Sequence, residues 1–221
     1  MHIHASPLIS QTYPGACVGV LVLDQVTNPA QSPALEACKT ALQDELRARF
    51  TDEALIKSDL VIQAYSDYYK RFKKTYHIAL QLESVALKGK PIPSVAALVE
   101  CMFMAELADR MLTAGHDLDV VRGDLVVAVA DGSEVYTLLR GVEQQAKPAD
   151  LCIRDDAGII SSIVYGPDAR TQITAATTRA LFTVYAPPGV GETRVRDHLA
   201  RICEYVRLFS PQARVVQEWI G

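Results

Sequence analysis

The sequence predicts an α+β domain, on three observations. Helical periodicity dominates the first half of the 221 residues, short apolar runs bounded by turn signals crowd the middle, and the chain closes as strand, helix, strand. With 49% hydrophobic and 22% charged residues, the chain can bury one sizeable core. The net charge of −4 supplies no global positive field, so any nucleic-acid binding must rest on a local patch.

Ala16 to Leu23 is a nearly continuous apolar run, as expected of a strand covered on both faces. Asn28-Pro29 and Ser32-Pro33 break the chain, and Ser32 is placed to cap a helix over 34–49. Thr51 or Asp52 starts another turn, and Ile56 to Ala64 fits helix or strand equally. Tyr65 to Leu87 reads as helical and partly basic, and Ser94 is expected to cap a helix from Val95 to about Leu112. Leu125–Ala130 and Glu134–Leu139 flank Asp131-Gly132, which predicts an antiparallel hairpin, and 141–150 reads as a polar loop. Further strands are expected at 151–153, 159–165, 181–185 and 213–219, with a helix over 193–209.

The five cysteines, Cys17, Cys38, Cys101, Cys152 and Cys203, never fall as C-x-x-C, so reduced, packed thiols are expected rather than disulfides or zinc. No metal and no cofactor is expected. The N-terminus has no signal-peptide pattern, and no apolar stretch approaches the ~20 residues that span a bilayer. The expectation is a cytoplasmic protein without a membrane partner. His2 and His4 alternate as metal ligands on a strand would, but a frayed terminus is the plainer expectation.

Gly115-His116-Asp117-Leu118-Asp119-Val120-Val121-Arg122-Gly123-Asp124 gathers ionisable side chains just before an apolar strand, where binding or catalytic groups are often placed. Asp and Gly are also ordinary turn and cap residues. Lys70, Arg71, Lys73 and Lys74, followed by Lys88 and Lys90, form a basic segment interleaved with Tyr65, Tyr68, Tyr69 and Tyr76. Such a segment either holds a nucleic-acid backbone or is a solvated helix face with tyrosines packed beneath lysine stems. The phosphate-loop, nucleophile-elbow, H-E-x-x-H and dinucleotide-binding motifs are absent.

Four segments in order resemble one family. They are Tyr69-Lys70-Arg71-Phe72, then Leu82 to Pro93 (LESVALKGKPIP), then Gly115 to Asp119 with Gly123-Asp124, and last Asp168 to Thr174 (DARTQIT) with Thr177-Thr178. Together they are similar to the tRNA-binding and editing domain of the phenylalanyl-tRNA synthetase beta subunit. The resemblance implies a layered β/β/α single domain over 16–221, preceded by an N-terminal extension over 1–15. Two positions depart from the family pattern. Ala114 stands where the synthetase has a histidine three residues before the first Asp, and Pro167 stands where it has a glutamate.

The resemblance implies an RNA-linked protein that binds tRNA and hydrolyses misacylated aminoacyl-tRNA in trans. The alternative is a binding protein for an amino-acid-like small molecule with no RNA partner. His116, Asp117 and Asp168 are the expected catalytic set, with His116 as a base titrating near its ordinary pKa of ~6.5. Gly115, Tyr165, Gly166, Arg170 and Thr171 are expected around the aminoacyl group, and Lys70, Arg71, Lys73, Lys74, Lys88 and Lys90 on the RNA.

Overall fold

The computed structural model describes residues 1–221. The chain opens with a short strand, β1 (Ile3–Ala5), a one-turn helix, α1 (Leu8–Thr12), and the apolar strand β2 (Cys17–Asp24). In α2 (Pro33–Arg49) the Ser32 hydroxyl accepts from the Leu35 N–H, and Pro33 occupies the first turn, where its missing N–H costs nothing. The ambiguous stretch resolves into two helices, α3 (Glu53–Ser58) and α4 (Leu60–Arg71). Asp52 caps the first through Leu55, and Asp59 caps the second through Val61 and Ile62.

The basic segment is not one helix. The Lys74 N–H folds back onto the Tyr69 carbonyl, with Lys73 in the left-handed region at φ 57°, and α5 (His77–Ala86) starts afresh. Ser94 does not cap α6 (Ala97–Asp109). Its hydroxyl instead accepts from the Lys39 ammonium at 2.8 Å, while Asn28 Oδ1 takes the Leu98 N–H at 2.9 Å. Ala96, not Ser94, stands at the N-cap position and carries no side-chain acceptor, so the cap is supplied from a distant loop.

Three sheets follow. β3 (Thr113–Asp117) ends in a 3-10 turn, and β4 (Leu125–Val129) leads to β5 (Val135–Thr137) and β6 (Glu143–Gln145). β7 (Leu151–Asp155), β8 (Gly158–Ser162) and the two-residue β9 (Gly166–Pro167) come next. β10 (Arg179–Ala186), α7 (Glu192–Arg207) and β11 (Arg214–Ile220) close the chain. The strand orders are β1-β4-β7-β8-β9, β11-β2-β10-β3 and the pair β5-β6.

The expected hairpin across Asp131-Gly132 does not form. β4 pairs with β7 and β1, while β5 turns away to pair with β6 inside the stretch expected to be a loop. Asp131-Gly132 forms a bend and not a hairpin turn; β4 pairs with the largely buried β7, whereas β5 exposes Val135 and Thr137. The amino terminus is not frayed either. Ile3 to Ala5 pair in parallel with Leu125 to Val127, and the His2 N–H donates to Asp124 at 2.7 Å.

The layers stack β/β/α. Gly19 of β2 faces α7, and Val184 opposite it does the same. Tyr185, one residue on, points the other way and bonds Ser161 of the five-stranded sheet. All five cysteines are free, and four of them are buried. No helix is long and apolar enough to cross a membrane.

A Cβ on Gly19 would sit 2.3 Å from Val195 Cγ1, a contact that the stiff β-branched side chain cannot relieve by rotation. Gly19→Ala should therefore destabilise the fold by about 1–3 kcal/mol through overpacking, read as a lowered midpoint in urea at unchanged slope.

Candidate functional site

β3 is the free edge of the four-stranded sheet, and an apolar cavity of about 390 Å³ opens beside it. Alternate N–H groups of β3 point away from β10. Thr113 N–H donates to Glu106 Oε1 and Asp117 N–H to the Thr171 carbonyl, both at 2.8 Å. By the same alternation the Gly115 N–H faces outward between them, along the edge where Gly115 lines the cavity. A Cβ there would meet Ile173 at 2.8 Å and Met102 at 3.3 Å, so glycine lets these cavity-lining side chains pack directly against the strand. Met102 and Phe103 of α6 form one wall, Ile163 and Val164 another, and Tyr165, Gly166 and Pro167 the mouth.

The expected site residues divide into two groups. Gly115, Tyr165 and Gly166 line the cavity, whereas His116, Asp117, Asp168, Arg170 and Thr171 do not. His116, one residue past Gly115, turns inward and is fully buried. Its Nδ1 lies 2.7 Å from Thr171 Oγ1, and that hydroxyl donates to Asp168. Nδ1 therefore carries the proton, and Nε2 is left as a buried acceptor without a partner. Burial, with Arg170 nearby, pushes the imidazole pKa down to about 3. The expectation of a base titrating near 6.5 fails, because a sealed interior penalises the imidazolium.

Arg170 completes this network with Asp155 at 2.9 Å, Asp168 at 3.5 Å and the Val120 carbonyl at 3.0 Å. Asp117 stands apart. Its two oxygens accept from the Asp119 N–H and the Thr177 hydroxyl, which makes it the cap of the 3-10 turn at Leu118–Val120.

The tyrosines among the basic residues are not a stacking platform. Tyr65, Tyr68, Tyr69 and Tyr76 are all buried. The cations stay exposed, and Lys74 holds its ammonium 5.3 Å above the Tyr165 ring at the cavity mouth.

Several polar groups escaped the sequence reading. Glu106 lies buried against the cavity, and burial raises its pKa to about 8, so it is mostly protonated at neutral pH. A carboxylate on the otherwise apolar face of α6 was its only signal. His198, also buried, bridges Asp109 at 2.8 Å and Thr113 at 2.7 Å and so fixes the start of β3. Nothing local in the sequence links residues so far apart. His77 is the one imidazole that lines the cavity, at its exposed rim. No three His, Cys, Asp or Glu side chains converge as metal ligands would.

The sequence model of the B3/4 domain matches residues 63–202, more than half of the chain and all of the cavity's walls. The chain belongs to the B3/4 domain family. Its structure is similar to the crystal structure of an N-terminal fragment of the phenylalanyl-tRNA synthetase beta-subunit from Pyrococcus horikoshii. The TM-score is 0.50 at 9% identity, over 99% of this chain and 50% of that one, so this B3/4 protein spans about half the length of the fragment. The likeness establishes the layered α+β fold that the sequence predicts. No curated protein matches the chain.

The two perturbed groups set opposite pH dependences. The folded state holds His116 unprotonated down to pH about 3, while the unfolded chain takes up its proton near 6.5. Stability is therefore lost as pH falls through that window, at most about 1.4 kcal/mol per pH unit. Glu106 runs the other way, since its folded pKa of about 8 lies above the ordinary 4.5. That contribution is present below 4.5 and lost as pH rises towards 8. Urea midpoints measured across pH should show His116→Gln flattening the acid limb and Glu106→Gln flattening the neutral-to-alkaline limb.

Proposed function

We propose that this B3/4 protein is RNA-associated, and that its β3-edge cavity receives the aminoacyl end of a tRNA and hydrolyses a misplaced ester in trans. One observation carries the reading: an apolar cavity of side-chain size lies against an open strand edge, with Gly115 in its wall, its N–H turned away from β10, and a cation at its mouth. An apolar enclosure binds an amino-acid side chain, the amide meets a carbonyl oxygen, and the cation meets a phosphate. The structural neighbour, a phenylalanyl-tRNA synthetase beta-subunit fragment, supports the same class of partner.

In this reading water attacks the ester carbonyl, the carbon–oxygen bond to the ribose breaks, and the water's proton passes to the departing hydroxyl. The Gly115 N–H stabilises the developing oxyanion, and the walls hold the carbonyl within reach of the water. His116, Thr171 and Asp168 act as a buried brace behind β3 rather than on the substrate. Ala114 and Pro167, the positions that depart from the synthetase pattern, both line the cavity and make it less polar. That favours an aminoacyl side chain without a hydroxyl, because a buried hydroxyl with no partner costs about 1–3 kcal/mol.

Deacylation measured on a panel of mischarged tRNAs tests the reading. Turnover above the spontaneous rate is expected on apolar aminoacyl-tRNAs and weaker turnover on tyrosyl-tRNA. Gly115→Val should reduce it by about tenfold or more, since a displacement of an ångström at a reacting centre is worth about 100-fold. No turnover on any member overturns the hydrolytic step. A thermal shift with free amino acids, alongside no affinity for tRNA, would transfer the cavity to an RNA-independent ligand.

A further inference from the structure

The six cations that lie close in sequence separate in space. Lys70 pairs with Asp67 at 2.9 Å and Lys88 with Glu83 at 2.7 Å. The cleft beside Lys70 is of mixed charge, with Glu53, Asp67 and Glu83 among its walls. Arg71 and Lys73 behave differently. They share another cleft, of about 460 Å³, with Lys147 from the turn between β6 and β7. Three cations and no carboxylate line it, and none of the three forms an ion pair.

Two features hold these charges together. Tyr13 forms the floor, with the Arg71 guanidinium 5.2 Å over its ring and its own hydroxyl donating to the Ala149 carbonyl. One buried side chain thus ties the end of α4 to the turn that carries Lys147. The second feature is backbone conformation. Lys73 (φ 57°) and Ala149 (φ 70°) are two of only four non-glycine residues in the left-handed region, and both border this cleft. That conformation costs a residue with a Cβ about 1–2 kcal/mol, so the surrounding structure holds both in place. A helix dipole accounts for cations at the end of α4, but not for Lys147 on a separate element. The nearest carboxylate beneath, Asp150, is buried and occupied by the Tyr68 hydroxyl and the Val164 N–H. Unpaired like charges held side by side suit a ligand that brings several negative charges.

We infer that the cleft of Arg71, Lys73 and Lys147 binds phosphodiester groups, and that an RNA backbone crosses it towards the cavity mouth at Lys74 and Tyr165. The inference rests on the reading of the cavity as the receiver of an RNA-borne group and adds the surface by which the RNA arrives. It brings in Lys147, which the basic segment does not contain, and leaves out Lys70 and Lys88, whose charges are already matched. Tyr13 is a positioning residue for the cleft.

Equilibrium binding of uncharged tRNA to the full chain, across a salt series, separates the outcomes. Lys147→Glu should weaken binding by about tenfold or more and lower the slope of log affinity against log salt by about 1, the share of one phosphate contact. Lys88→Glu makes the same change in net charge and should stay within about twofold. Lys147→Arg should restore wild-type affinity, and Tyr13→Phe should weaken binding while the far-ultraviolet circular dichroism is unchanged. Equal losses from Lys147→Glu and Lys88→Glu would mean that only global charge matters, which overturns the cleft. Wild-type tRNA binding that ignores Lys147→Glu overturns the cleft and leaves the reading of the cavity intact. Failure of the wild type to bind any tRNA overturns that reading itself. Lys147-dependent binding of inorganic phosphate, or of vesicles rich in anionic lipid, with no competition by tRNA, would assign the cleft to that ligand instead of RNA.

Discussion

Three tyrosine hydroxyls on α4 hold the architecture together. Tyr65 donates to the Tyr185 carbonyl and accepts from Leu112, Tyr68 donates to Asp150 and accepts from Leu151, and Tyr69 donates to the Ile163 carbonyl. Each bond satisfies a buried polar group that would otherwise cost about 1–3 kcal/mol, and each reaches a sheet or its border. Leu112, Ile163 and Tyr185 also line the β3-edge cavity. The helix that ends in the basic turn is therefore fastened to the same backbone that shapes the cavity walls. Cavity and cations are spatially coupled because both hang from one element.

β3 separates two environments within five residues. Its open edge gives Gly115 to the cavity, while its inward face gives His116 to a sealed polar network between the sheets. Strand alternation turns the Gly115 and His116 positions to opposite faces, and the bond from His116 to Thr171 of the 168–171 loop keeps the imidazole out of the cavity. The network keeps His116 neutral and spends Asp168 and Arg170 on each other, on Asp155 and on Thr171. Groups so fully occupied hold β3 and the 168–171 loop in register. They leave the cavity side of the strand to backbone and apolar surface.

An acidic protein can still present a local positive field. The negative balance of the chain lies in surface carboxylates, several of them matched to lysines at helical spacing, as with Lys57–Glu53 and Lys70–Asp67. Such exposed pairs add little stability, but each removes a charge from the far field. Lys74, over Tyr165 at the cavity mouth, and the cleft group Arg71, Lys73 and Lys147 stay without ion-pair partners. The pairing pattern, more than the count of cations, decides where a polyanion would settle.

Local chemistry was legible in the sequence and long-range pairing was not. Ser32 and Asp52 announced their helices because a cap needs only its own next three residues. The strands at β2, β7, β8 and β10 declared themselves by apolar content, and the ordered motifs pointed to the family and its layered fold. Ser94, the Asp131-Gly132 hairpin and the amino-terminal strand went otherwise, because each outcome was set by a partner far along the chain. The candidate site divides in the same way. Gly115, Tyr165 and Gly166 were named by sequence alone, whereas Glu106, His198 and Lys147 took on their surroundings only through tertiary contacts. Composition and spacing determined which side chains this protein has to work with. The tertiary structure decided which of them are buried, paired or left free, because desolvation and charge matching depend on neighbours that sequence distance does not reveal.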